Sequence, residues 1–256
     1  MPNGGSREAQ KSNNMKKFFS MMLIMASVVF VFSSCSEEKE EVGPDIPSTI
    51  NLKVGEYYNL KHTAAWESSK TFVATVDGAG VITAKRAGKA EISAYNLSKK
   101  CYVNVVASYT LYDEPVTKWG ISKSELKRLK GTPDSDTGTA YGYNCNSSYA
   151  PMEAYMFENN KLTGSAKLVK TTYTDQLVDH LMQRYKPLTV DTENYNVYFI
   201  DEETPNKANT VVAASLYKTS YWMVVYIPNP SNTRGNMDKE ALFDSFRKEI
   251  ESLCVI

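Results

Sequence analysis

Between residues 48 and 107 apolar positions recur at every second residue in short runs: Thr49–Leu52, Tyr57–Leu60, Phe72–Val76, Val81–Ala84, Ala90–Tyr95 and Cys101–Val106. A period of two sends alternate side chains to opposite faces of a strand, so each run predicts a β-strand with one buried face. Turn signals separate the runs at Val54-Gly55, Asp77-Gly78-Ala79-Gly80 and Ala87-Gly88-Lys89. Short strands at this spacing predict an all-β sandwich. No stretch of helical period competes with them.

From residue 108 the period changes. Ser122-Lys123-Ser124-Glu125 reads as a capping box, with Leu126 and Leu129 as the apolar stripe of a short helix that Gly131-Thr132-Pro133 stops. Strands are predicted near Thr139–Asn144, Met152–Glu158 and Leu162–Leu168, with a hairpin at Asn159-Asn160-Lys161. The order then returns. A helix is predicted over Thr174–Tyr185, with Leu177, Leu181 and Tyr185 on one face and Pro187 ending it. Strands follow near Asn196–Asp201, Thr210–Tyr217 and Ser220–Pro228, with Lys218-Thr219 at a hairpin. A last helix, Met237–Leu253, aligns Leu242, Phe246, Ile250 and Leu253, and Asp238 near its start suits the helix dipole. The expected architecture is an all-β sandwich followed by an α+β domain over residues 108–256, built from two helix–three-strand repeats.

The beginning of the chain has another character. Residues 1–14 are polar and aperiodic, and Met15 opens Lys16-Lys17 followed by an apolar stretch from Phe18 to Phe32. That is the pattern of a secretory signal, too short for a membrane span. Met15 is the expected start. Phe32-Ser33-Ser34-Cys35 resembles a bacterial lipobox, which implies cleavage before Cys35 and its lipidation; acyl chains contribute about 0.8 kcal/mol per buried methylene toward holding a domain on a membrane. Ser36 stands where an inner-membrane retention signal would carry Asp, and Glu37-Glu38-Lys39-Glu40-Glu41 resembles the acidic export tag of surface lipoproteins in Bacteroides-like bacteria. Residues 1–34 are thus expected to be the signal peptide with an upstream extension, and 35–47 an acidic linker. The expected location is the outer membrane, at the cell surface, with the periplasmic face as the alternative.

Charge narrows the partners. The chain carries 29 basic and 29 acidic residues; losing residues 1–34 removes four bases and one acid, leaving 25 against 28, a net of −3. That balance argues against nucleic acid. The candidate chemistry is sparse. His180 adjoins Asp179 on a helix, where neighbours do not face each other, and His62 has no ligating neighbour. Asp134-Ser135-Asp136-Thr137-Gly138 is similar to the opening of a calcium loop but lacks the later ligand positions. Asp201-Glu202-Glu203 reads as a solvated turn. No catalytic residue, metal site or cofactor is assigned, and no enzyme activity is expected. Cys145 and Cys254 are compatible with a bridge or with free thiols, and Cys101 with a buried strand position. Tyrosines lean toward recognition: Tyr141, Tyr143, Tyr149 and Tyr155 crowd one region, and the loop Asn144–Tyr149 runs through it. These four are the candidate binding residues for a protein or glycan, while alternating aromatics also serve to cover a sheet face against helices.

Two family resemblances follow. Trp66-Glu67-Ser68-Ser69, Val73-Ala74-Thr75-Val76-Asp77, Gly80-Val81-Ile82-Thr83-Ala84-Lys85, Ala87-Gly88-Lys89-Ala90-Glu91-Ile92-Ser93-Ala94 and Tyr102-Val103-Asn104-Val105 resemble, in order, the bacterial Ig-like domain of group 2. The resemblance implies an Ig-like sandwich over residues 48–107, of a kind found in bacterial surface proteins, and no family-wide catalytic residue. Gly131-Thr132-Pro133 and the element order of the C-terminal part resemble the β-lactamase-inhibitor protein and small outer-membrane lipoproteins of the SmpA/OmlA kind. That likeness implies a fold and licenses no function.

Overall fold

A computed structural model describes residues 45–95, 97–191, 196–229 and 239–253; of residues 239–243 it describes only the backbone. The expectations placed on Cys35, the signal peptide, the acidic run, Met237, Asp238, Leu242 and Cys254 lie outside what is described. The chain is β-rich and divides into two compact units, one built on residues 45–110 with 179–184 and the other on 111–178 with 185–253.

Among the described residues the first unit has seven strands: β1 Thr49–Lys53, β2 Tyr57–Asn59, β3 Trp66–Ser68, β4 Ala74–Val76, β5 Val81–Ala84, β6 Gly88–Ala94 and β7 Cys101–Val106. They form one sheet of order β1-β7-β6-β3, in which β1 runs parallel to β7, and an antiparallel sheet of order β2-β5-β4. Inward residues of both sheets share one core, including Ile50, Leu52, Ile82, Ile92, Val103 and Val105. The alternation read from the sequence is realised: along β7, Cys101, Val103 and Val105 are buried while Tyr102 and Val106 are exposed. Trp66 is buried, and its Nε1 donates to the His62 carbonyl at 2.8 Å. Gly80 makes that bond possible. Its φ is +83°, and a Cβ there would stand 2.6 Å from the same carbonyl oxygen, so a side chain would meet both a strained backbone and a clash.

The second unit is one eight-stranded sheet with helices. Its elements are α1 Lys123–Lys130, β8 Ser135–Asp136, β9 Ala140–Asn144, β10 Met152–Glu158, β11 Lys161–Lys170, α2 Thr174–Met182 (as far as Val178), β12 Lys186–Asp191, β13 Asn196–Ile200, β14 Thr210–Tyr217, β15 Tyr221–Pro228 and α3 Lys239–Leu253. The order is β12-β13-β14-β15-β11-β10-β9-β8, antiparallel throughout. Each half is a helix followed by a four-strand meander, and the two meanders join through their last strands, β11 and β15.

Three expectations need correction here. Each half has four strands, not three, and both additional strands, β8 and β12, are the sheet's edges. An edge strand is covered on fewer sides, so β8 is only two residues long and β12 is polar and half-exposed, with little apolar period to read. Helix α2 ends at Met182 rather than Tyr185, and Pro187 lies in β12 beside a register shift, where an edge tolerates a missing N–H. Of the α1 stripe only Leu126 is buried; Leu129 is 47% exposed, because two turns present one residue squarely to the sheet.

Other local readings are realised. Ser122 Oγ accepts from the Glu125 N–H at 3.2 Å while Glu125 Oε2 accepts from the Ser122 N–H at 3.4 Å, closing the capping box. Asn159 and Asn160, and likewise Lys218 and Thr219, take positive φ at the two hairpins. Central strands β13 and β14 are buried along their whole length, as a sheet covered on both faces requires. On one face Phe246, Ile250 and Leu253 of α3 pack with Met152, Ala154, Leu168, Met223 and Val225. On the other lie α1 and, through a bond from Trp222 Nε1 to Thr174 Oγ1 at 2.8 Å, the start of α2.

Candidate functional site

The four tyrosines named from the sequence do not make an open surface. Tyr141 and Tyr143 on β9 and Tyr155 on β10 are buried and pack with Leu126 of α1, Phe157 and Leu162. Tyr141 meets Phe157 edge-on at 5.0 Å, and Tyr143 meets Tyr155 at 5.8 Å. Tyr149 is half-buried and stands edge-on to Tyr173 at 5.7 Å. The physical reason is the cover reading: alternating aromatics fill the space between sheet and helix, and α1 seals them with Lys127 Nζ 4.8 Å over the Tyr141 ring. The other candidates also have structural partners. His180 is buried in α2, and His62 lies edge-on to Trp66. Asp134 accepts from the Asn144 N–H at 2.7 Å, Asp136 from Gly138 at 2.8 Å and Asp201 from Asn209 at 2.9 Å.

Beneath those tyrosines sits a charge network that sequence reasoning missed. Glu153 on β10 is 1% exposed and faces Lys167 of β11 in register. Its carboxylate is ion-paired to Lys167, to Lys130 at 2.8 Å, and accepts a hydrogen bond from the Tyr155 hydroxyl. The Val116 N–H donates to that hydroxyl at 3.1 Å, and Lys167 Nζ lies 3.6 Å from Cys145 Sγ. Burial raises the Glu153 pKa, but Lys167 and the hydrogen bonds from Lys130, Lys167 and Tyr155 outweigh it, leaving the carboxyl below its ordinary value. With each carboxylate oxygen taken by protein partners, the network is closed on itself and ties β10 and β11 to the end of α1. Nearby, the Tyr112 and Tyr226 hydroxyls share a hydrogen bond of 2.8 Å, and Tyr185 donates to Glu114 at 2.6 Å.

These buried phenols give an alkaline limit. Burial, then the neighbouring Tyr141, Glu153 and Asp134, pushes Tyr143 up to about 12, and burial raises Tyr155 and Tyr226 as well. An unfolded tyrosine titrates near about 10, so the folded chain retains more protons above that pH and loses stability as pH rises through the folded values. We expect the urea midpoint to be flat from neutrality to about pH 9.5 and to fall steeply beyond about pH 10. A midpoint unchanged at about pH 11 would show that these phenols are not held neutral.

The first unit carries an outward face of different character. Cross-strand register places Thr49, Tyr102 and Glu91 in one row and Asn51, Asn104 and Lys89 in the next, all on the outer side of the β1-β7-β6-β3 sheet. Tyr102 is 52% exposed at the centre. A shallow hollow of about 400 Å³ is lined by Thr49, Ser69, Lys89, Glu91, Tyr102 and Asn104. Asn104 Nδ2 donates to Asn51 Oδ1 at 3.0 Å, and Lys100 pairs with Glu91 at 2.7 Å. The signal was present in the alternation of Cys101–Val106, which sets Tyr102 and Asn104 outward together.

No family model matches the chain, and no curated protein matches it. Among solved structures it is similar to an extracellular protein containing a SCP domain from Bacillus anthracis str. Ames, at 12% identity over 53% of this chain and 57% of that one, with a TM-score of 0.22. It is also similar to domains 4–9 of surface layer protein SbsC, at 14% identity over 74% of this chain and 27% of that one, with a TM-score of 0.19. The chain spans less than two thirds of either neighbour's length. Likeness at this level carries no argument about fold or function. Among the described residues no helix is long and apolar enough to cross a membrane.

Proposed function

We propose that the protein is a lipid-anchored binding protein of the cell envelope, of the Bacteroides type, which acts by recognising a protein or glycan at the cell surface rather than by catalysis. Residues 48–107 serve as a bacterial Ig-like domain of group 2 and residues 108–256 as an α+β domain of two duplicated halves. Support for the first assignment is the two-sheet core closed over Trp66, with the motif turn at Gly80 where the resemblance requires it. Support for the second is the repeat of helix and meander on either side of the β11–β15 pair. The anchor rests on Met15–Cys35, whose n-region, apolar stretch and cysteine follow the lipoprotein order.

The observation that carries the binding reading is the outward face around Tyr102. A half-exposed phenol inside a hollow rimmed by amide, hydroxyl and charged groups combines apolar area with hydrogen-bonding handles. A second reading is a periplasm-facing lipoprotein that assists or inhibits another envelope protein; the paired helix-and-meander halves favour it, through the likeness to the inhibitor fold. Proteinase added to intact cells, with a periplasmic protein as lysis control, separates the two. Digestion of the C-terminal unit is expected; protection would transfer the assignment to the periplasmic helper. A Cys35→Ala chain that still partitions with membranes would remove the anchor.

A further inference from the structure

From the face around Tyr102 we infer that the outer side of the four-stranded sheet binds a carboxylate-bearing glycan. The inference deepens the binding-protein reading above and rests on it. Its first support is size and polarity. A stable protein–protein interface buries about 800 Å² on each partner, with an apolar centre. Here the large exposed apolar groups on the face are Tyr102, 52% exposed, and Val106, 53% exposed, in rows otherwise filled by Thr49, Asn51, Lys53, Lys89, Glu91 and Asn104. The hollow between these rows is shallow and open along the sheet, so a ligand lies across it with one face in solvent.

Its second support is the arrangement of donors and acceptors. A sugar ring presents a C–H face and an equatorial rim of hydroxyls, so it is matched by one aromatic face bordered by amides. Tyr102 supplies the aromatic group, and the amide pair lies in the adjacent row. Because Asn104 Nδ2 already donates to Asn51 Oδ1, Asn104 Oδ1 and Asn51 Nδ2 are left to accept from and donate to ligand hydroxyls. The mutual bond also holds both amides in place before a ligand arrives, which lowers the ordering cost of binding.

Charge selects among glycans. The face carries Lys53 and Lys89 against Glu91 and, at the β3 edge, Glu67, and Lys100 reaches it through its ion pair with Glu91. Lys100 neutralises Glu91, whereas Lys89, next to Asn104 in its row, has no ion pair among the described residues. The local excess is positive although the mature chain is net negative, so a carboxylate is complementary at Lys89.

The test is titration of the full lipidated chain in detergent micelles with an oligogalacturonate and with its carboxyl-reduced, neutral counterpart. Binding of the acidic oligomer is expected, weakening with added salt. Tyr102→Ala is expected to reduce it by about tenfold and Lys89→Gln by about threefold, with Tyr102→Phe retaining it because the ring is kept. The thermal midpoint of each variant, expected to be unchanged at these exposed positions, guards against misfolding. Equal binding of the neutral oligomer, an unaffected Tyr102→Ala chain, or no binding of the acidic oligomer at millimolar concentration would overturn the inference. Proteinase accessibility and attachment of intact cells judge the broader reading separately. Cells that attach through this chain without uronate binding would leave the binding-protein reading standing and remove only the glycan.

Discussion

Glu153→Ala is expected to destabilise the second unit by about 3–5 kcal/mol, because it strands the Lys167 ammonium without its carboxylate. Lys167 is 5% exposed at its side chain and Glu153 1%, so neither charge can turn to solvent when its partner is lost. The cost arises chiefly from the charge left behind, not from the worth of the pair. Removing both charges tests that distinction: a Glu153→Met, Lys167→Met chain is expected to recover most of the loss, since replacing a buried pair by apolar groups of similar volume is often neutral. Urea unfolding with hydrogen exchange at the β10 and β11 amides gives both values and localises them. The acid side follows from the lowered Glu153 pKa. The unfolded carboxyl titrates near about 4.3, so the pair's stabilisation is complete above that pH and is lost as pH falls through the folded value. Glu153→Ala is therefore expected to flatten the acid limb of the stability profile. A single variant costing under about 1 kcal/mol would show that water reaches Lys167 and that the network does not order the sheet.

The network illustrates what a one-dimensional reading lacks. The two charges are visible in Met152–Glu158 and Lys161–Lys170 as acids and bases set among apolar neighbours, but their meeting depends on register. The Asn159-Asn160 turn pairs Glu158 with Lys161 and Phe157 with Leu162; continued without interruption, that register would put Glu153 opposite Ala166. A bulge between Met156 and Phe157 takes up Thr163 and moves the pairing by one residue, so Glu153 faces Lys167 instead. One residue of slip exchanges the two faces of a strand, so the network exists only because of the bulge. Half-buried strands such as β7 were legible because burial imposed its period on the composition, and the helix cap at Ser122 because its chemistry is local. Edge strands β8 and β12 were not, since an edge imposes little period. The tyrosine cluster was legible as aromatic density but not as exposed or covered, because cover comes from α1, whose docking is a long-range event. Tyr102 shows the converse: strand alternation alone sets it outward, while the row of Thr49 and Glu91 beside it comes only from the pairing of β1, β6 and β7.

Phe246→Ala is the second large effect, expected to cost about 3–5 kcal/mol through the cavity it opens between α3 and the sheet. The Phe246 ring is fully buried and occupies the site of the missing Gly164 side chain on β11: a Cβ built there would stand 2.0 Å from Cζ and 2.3 Å from Cε2. Glycine within a strand ordinarily weakens it, and here it marks the place where a ring approaches the backbone. Gly164→Ala is therefore expected to destabilise too, by about 1–3 kcal/mol, since the ring must leave its rotamer or α3 must lift. Combined, the two substitutions are expected to cost less than their sum, because the new methyl occupies part of the space the ring vacates. Such coupling requires direct contact, so the double-mutant cycle in urea reads the docking of α3 on β11. Strict additivity would mean that the helix does not rest on Gly164. Hydrogen exchange then decides how α3 belongs to the unit. Since Ile250 and Leu253 share one core with Met152, Leu168 and Met223, protection is expected to fall together across α3, β10 and β11 in Phe246→Ala. Loss confined to α3 would make the helix a separable cover over a sheet that is stable without it.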